Sequence, residues 1–249
     1  MSIRVSRRAP KGAIAMVGLV AATVAFAVAP ALSPSFTGYE PGQFPVTIVR
    51  PSIQPAGYAF SIWGVIYAWL IAHAGFGMLR RAEDPAWAAV RLPLTGALVL
   101  GTVWLAIAGV APITATVVIV AMAALALAAF LKADPNRDRW MLSAPLAILA
   151  GWLTAASAVS LGVVLGGYGW LGDTVSALTM LTLVLVIAVW VQSRNRQMPL
   201  FGATIVWALG GIVAANWGDV AVVAYAALFG AVIMALATIL LVQRNRTSD

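Results

Sequence analysis

The stretch from Pro55 to Arg81, PAGYAFSIWGVIYAWLIAHAGFGMLRR, decides the fold. From Ala56 to Leu79 it carries no Asp, Glu, Lys or Arg, and it stops on the pair Arg80-Arg81. A helix of roughly 20 apolar residues crosses the roughly 30 Å of a bilayer's hydrocarbon core. This run is therefore long enough to span a membrane, with its basic end at one surface. Pro55 suits the first turn of a helix, where a missing N–H costs nothing. Phe60, Trp63 and Tyr67 follow at i, i+3 and i+7, so they share one face.

Seven further apolar runs flank this one: Gly12–Leu32, Leu92–Val110, Ile113–Leu131, Leu142–Leu165, Thr174–Gln192, Leu200–Ala215 and Val220–Val242. Pro112 is the only sharp break between the third run and the fourth, which predicts a tight helical hairpin. The seventh run is short. The chain as a whole is 62% hydrophobic and 9% charged, against about 25% charged in a soluble domain. Its outer surface must face lipid. The sequence thus predicts an all-α, polytopic transmembrane bundle of about eight helices.

The connecting segments test this layout. Arg4, Arg7, Arg8 and Lys11 precede the first run, and Arg80, Arg81 and Arg91 follow the second. Lys132, Arg137 and Arg139 follow the fourth, Arg194 and Arg196 the sixth, and Arg244 and Arg246 the eighth. All of these fall on one side of an eight-span layout, and Arg50 is the one basic residue on the other. Lys and Arg favour the cytoplasmic side, so both termini are expected there, in a multi-pass protein of the cytoplasmic membrane. The net charge of +7 orients the chain and does not point to nucleic acid. The first run, with Ala27-Val28-Ala29 behind a basic segment, also has the form of a signal peptide. Its length, and Pro30 directly after that site, favour a retained helix.

No acidic or basic residue falls inside the runs as drawn, and the chain has no cysteine and one histidine. Ion-coupled transport usually needs intramembrane charge, and metal or thiol chemistry needs ligands that are missing. The expectation is a protein that is not an enzyme and holds no tightly bound cofactor. His73 reads as a hydrogen-bonded interhelical residue, with proton handling or axial ligation as the alternative. Asp173 and Asp219 fall near outer helix ends as solvated or capping residues. Ser33 to Pro55 is the longest external segment, and its prolines and glycines oppose helix.

The distinctive resource is ten tryptophans. Trp87, Trp140, Trp170, Trp190 and Trp217 fall near predicted helix ends, where the membrane interface accounts for them. Trp63, Trp69, Trp104, Trp152 and Trp207 lie deeper, where an indole N–H needs a partner. On the fifth run, Trp152, Ala156 and Ser160 form an i, i+4, i+8 line whose small members leave space for a helix or a ligand. Gly162 and Gly166 give one GxxxG match. Periodicity alone favours helix packing for the deep aromatics.

The residues Pro55 to Tyr67 resemble the proline-led F-x-x-V-W-x-x-L-Y segment of the TspO/MBR family, the tryptophan-rich sensory and translocator proteins. They are closer still to the P-A-G-Y-A-F-S-I-W-G-x-I-Y form of its longer bacterial members. Thr95 to Trp104 is similar to the family's T-G-Q-L-x-L-N-x-x-W. Pro145 followed by Gly151-Trp152-Leu153-Thr154-Ala155-Ala156 is similar to its P-Y-x-x-W-x-x-F-A-x-x-L-N helix. Ile53 stands where the family's loop tryptophan would be, Ala56 replaces a second proline, and Gly101 and Ser160 replace asparagines. The resemblance implies a five-helix core over residues 1–165 and a three-helix extension over 166–249. It implies a membrane-embedded binding or sensory protein for a flat apolar small molecule, of tetrapyrrole (porphyrin or haem) type. The site it implies comprises Pro55, Phe60, Trp63, Tyr67, Trp104, Trp152, Ala156 and Ser160. The expected partners are the lipid bilayer and a hydrophobic small molecule, with a second copy of the chain left open. A transporter of an amphipathic small molecule and a membrane assembly factor are the competing functions. Small residues Ala227, Ala231 and Ala235 on the last run would serve the assembly role.

Overall fold

A computed structural model describes residues 11–33, 38–39 and 41–246. Arg4, Arg7 and Arg8 lie outside the described residues. The elements are α1 (Lys11–Leu32), two short 3-10 turns (Pro41–Gln43 and Gly57–Ser61), α2 (Ile62–Arg80), α3 (Pro85–Ala108), α4 (Pro112–Lys132), α5 (Ser143–Gly167), α6 (Asp173–Arg194), α7 (Leu200–Asn216) and α8 (Ala221–Arg246). No strand occurs among the described residues. Seven of the helices are long and apolar enough to cross a membrane, and α7 is a shorter apolar helix of 17 residues.

The helices close into two rings that share α5. In the first ring α1 packs on α2 and α3, α3 on α4, α4 on α5, and α2 returns to α5. In the second ring α5 packs on α6 and α7, and both of these pack on α8. A helix surrounded on all sides has no polar face to present, and α5 is built that way. Nearly all its residues are buried, and Ala, Gly and Ser dominate it. These small side chains let neighbouring backbones approach. At Gly151 a Cβ would meet the Phe201 carbonyl oxygen of α7 at 2.9 Å.

α3 begins seven positions before the apolar run does, because the local chemistry favours an earlier start. Asp84 accepts a hydrogen bond from the Ala86 N–H as N-cap, and Pro85 occupies the first turn. Two expectations are corrected as a result. Arg91, expected in a connection, lies inside α3 and is 3% exposed. Its guanidinium donates to the carbonyls of Gly12, Arg81 and Ala82. Trp87, expected at the membrane interface, is fully buried against α2. Gly77 makes room for its ring, His73 stacks on it at 4.8 Å, and its Nε1 donates to Asp138 at 2.9 Å. Trp140, Trp170, Trp190 and Trp217 are exposed at helix ends, as the sequence predicts.

The connections gather at two opposite ends. At one end Arg81 forks onto the Asp138 carboxylate at 2.7 and 3.0 Å, and Arg137 onto Asp84 at 2.6 and 3.0 Å. The Arg81 guanidinium, followed by the Trp87 N–H, holds the Asp138 carboxyl down to about 2. The neighbouring Arg137 likewise lowers Asp84. Arg139 reaches the Gln197 carbonyl, so three connections meet here. His73 bonds the Met141 carbonyl at 2.7 Å through Nδ1. A carbonyl only accepts, so Nδ1 carries the proton. At the other end the long loop is stapled to the ends of α3, α5, α6 and α7. Gln43 donates to Gly109 O, Val46 N–H to Gly167 O, Ser52 N–H to Asp173, and Ala56 N–H to Gly211 O. Asn216 donates to Ser52 O, and Arg50 pairs with Asp219 at 2.6 Å. Asp173 and Asp219 therefore anchor the loop.

Candidate functional site

Beneath the stapled loop lie two adjoining apolar compartments. The inner one, about 190 Å³, sits within the first ring. Phe26 and Pro30 of α1, Trp63 and Tyr67 of α2, Gly101 and Trp104 of α3, Met122 of α4 and Trp152 of α5 enclose it. The other, about 70 Å³, lies directly under the loop and reaches across α5 into the second ring. Tyr39, Ile53 and Pro55 roof it, Ser160 and Val163 line the α5 side, and Leu181 of α6 with Ile205 and Leu209 of α7 close it. Phe60, Trp104, Ile119, Trp152 and Ala156 belong to both, so they form the partition.

The aromatic stripe read from the sequence runs from this partition into the inner compartment. The last 3-10 turn before α2 carries Phe60, and α2 itself carries Trp63 and Tyr67, whose rings stack at 5.4 Å and 16°. Trp152 meets Phe60 and Trp63 edge-on at 5.8 and 6.1 Å. Pro55 and Ser160 line the compartment under the loop only, and Trp63 and Tyr67 the inner one only. The eight sequence-predicted residues thus divide between two spaces.

Three of the departures from the family pattern, Gly101, Ile53 and Ser160, have a structural counterpart. Gly101 leaves a hollow that the Phe26 ring fills, where any Cβ would overlap that ring. Phe26 then meets Trp63 and Tyr67 edge-on at 5.9 and 5.2 Å. Ile53 is buried against Gly162. Ser160 joins a chain of hydroxyls whose direction can be worked out. Thr116 gives its proton to Pro112 O at 2.9 Å. Ser160 at 2.7 Å must then donate to Thr116, and the Tyr39 hydroxyl at 2.9 Å donates to Ser160. Burial pushes the Tyr39 hydroxyl's pKa up, and the Ser160 and Thr116 hydroxyls oppose that.

The deep indoles differ in how their N–H groups are satisfied. Trp104 donates to Ala115 O, Trp207 to Ala59 O and Trp69 to Trp140 O. Trp152 is 3% exposed, and its Nε1 meets no acceptor. No Lys, Arg, His, Asp or Glu lines either compartment among the described residues.

Sequence reasoning missed Phe26, Tyr39, Thr116 and the whole contribution of α6 and α7. Tyr39 sits in a loop whose path no periodicity reveals. The α6 and α7 residues are ordinary Leu and Ile in apolar helices, indistinguishable by type from those facing lipid.

No curated protein and no solved structure matched the chain. The TSPO-like protein family matches it over residues 13–240, from the start of α1 into α8. That match takes in both rings and both compartments. With an all-helical bundle of membrane-spanning length, it makes the chain a multi-pass membrane protein that belongs to the TSPO-like family.

Proposed function

We propose that this protein binds a small, flat, apolar molecule inside the membrane, at the partition between the two compartments, and that it acts as a binding or sensory protein rather than an enzyme. The observation that carries this reading is the aromatic partition under the loop. Five residues from four separate segments converge there around space large enough for part of a ligand. Its walls are apolar, which is what ligand pockets use for affinity, with a few polar groups for orientation. The proposed orientation puts the arginine-rich end in the cytoplasm and the loop outside. A ligand would then enter from the outer leaflet or the outer surface.

The family resemblance suggests a tetrapyrrole. Ligand pockets usually measure about 300–1,000 Å³, above either compartment here. A macrocycle therefore requires Phe60 and Trp152 to part so that the compartments merge. The test is a ligand screen against purified protein, porphyrins included, read by intrinsic tryptophan fluorescence and confirmed by dialysis. Trp63→Ala and Trp152→Ala should weaken any hit by more than about tenfold, since a buried aromatic anchor is worth about 2 kcal/mol or more. Trp190→Ala, at an exposed inner helix end, should leave binding unchanged. Unaltered binding in both of the first two variants would move the site elsewhere.

A further inference from the structure

The polar inventory of the partition narrows the ligand class, and this step rests on the binding reading above. A buried N–H without an acceptor is costly, and most such groups have a partner. Trp69, Trp104 and Trp207 donate to backbone carbonyls, whereas the Trp152 N–H, out of reach of solvent, meets none. Its ring lines both compartments. The hydroxyl chain from Tyr39 through Ser160 to Thr116 ends on Pro112 O, so its internal protons are committed. Among the described residues, no cation lines either space. Arg50, the basic residue of the loop end, is held by Asp219. A carboxylate brought into this site would lose its hydration and gain no counter-charge.

We infer that the site selects a neutral molecule no larger than a few fused rings that carries one hydrogen-bond acceptor, a carbonyl or ether oxygen, which takes the Trp152 N–H. Carboxylate-bearing ligands, including propionate-bearing tetrapyrroles, are rejected by the same walls. Specificity then comes from one donor, while the aromatic partition supplies the affinity.

Three probes on one tricyclic skeleton separate these claims: fluorene, 9-fluorenone and fluorene-9-carboxylate, titrated calorimetrically into the full chain in detergent. Fluorenone should bind about three- to tenfold more tightly than fluorene, the yield of one neutral hydrogen bond. The carboxylate should bind at least about a hundredfold more weakly than fluorenone. Trp152→Phe keeps a ring and removes the N–H. It should bring the fluorenone-to-fluorene affinity ratio down to about one, whatever the smaller ring does to both affinities together. A second measurement needs no variant: the carbonyl stretch of bound fluorenone should lie at lower wavenumber than in the micelle alone. Equal binding of fluorene and fluorenone, an unshifted stretch, or a preference that survives in Trp152→Phe overturns the donor assignment while leaving the apolar site intact. Carboxylate binding as tight as that of fluorenone overturns the charge rule. If no probe binds the unaltered protein, the binding reading itself falls, and this inference with it.

Discussion

Phe26→Ala is the sharpest test of how the inner compartment sets ligand size. The ring lies over Gly101 and meets Trp63 and Tyr67 edge-on, and it is 4% exposed. Truncating a buried apolar side chain of this kind opens on the order of 150 Å³. Added to the 190 Å³ already present, this carries the compartment past the roughly 300 Å³ at which ligand pockets begin. A ligand one ring too large for the unaltered site meets an overpacking cost of about 1–3 kcal/mol, which the truncation relieves. The affinity ratio of tetracyclic pyrene to tricyclic fluorene should therefore rise about tenfold or more in the variant. The same truncation should cost about 3 kcal/mol of fold stability, since contacts are lost and the gap cannot fully close. The assay is paired calorimetric titration of both hydrocarbons, with a thermal melt in the same detergent. A fall in melting temperature with no change in the pyrene-to-fluorene ratio would refute the reasoning, because Phe26 would then pack helices without bounding the ligand space.

Asp138→Asn should lower the melting midpoint by about 2–4 °C at pH 7, since it breaks the Arg81 fork and weakens the Trp87 contact. Asn is chosen because residue 138 has φ 43°, which Asn tolerates better than most residues. The Asp138 pKa is lowered to about 2 in the folded protein, against about 3.9 unfolded. Its contribution is therefore full above about pH 4 and lost as pH falls through about 2, so the gap between parent and variant should close over that interval in melts run across pH. Gly151→Ala should destabilise by about 1–3 kcal/mol in a detergent melt, because its Cβ meets the Phe201 carbonyl oxygen and Thr204. Full stability in that variant would mean that α5 and α7 have slack between them. Reporter fusions at Gly38 and Gly172 should read outside the cytoplasm, and fusions at Asp84, Asn136 and Asn195 inside. Reversed readings at two of these sites would overturn the proposed orientation.

The sequence alone determined the class of fold, because crossing lipid leaves little choice. Each backbone polar group must be satisfied within its own helix, so the eight apolar runs became eight helices, with the Pro112 hairpin where the run breaks. It also marked Phe60, Trp63, Tyr67, Trp104 and Trp152, because large aromatics at helical spacing stand out against an Ala, Val and Leu background. The family likeness was legible in those same residues, and the match over residues 13–240 bears it out. The tertiary structure decided everything that depends on which helix meets which. Hydropathy cannot order helices around a bundle, since a lipid-facing Leu and a cavity-lining Leu have the same composition and lipid tails are as apolar as the interior. Only the packing shows that α5 is shared by two rings, and that Leu181, Ile205 and Leu209 help to enclose the site. Only the packing satisfies the N–H of Trp104 and leaves that of Trp152 without an acceptor. The start of α3 was missed because capping by Asp84 and Pro85 outweighs one charged residue. Arg91 could enter the helix because carbonyls from three other residues, one of them on α1, were there to receive it. A sequence shows which side chains are available, but hydrogen-bond partners that lie 79 positions apart, as Arg91 and Gly12 do, exist only once the chain has folded.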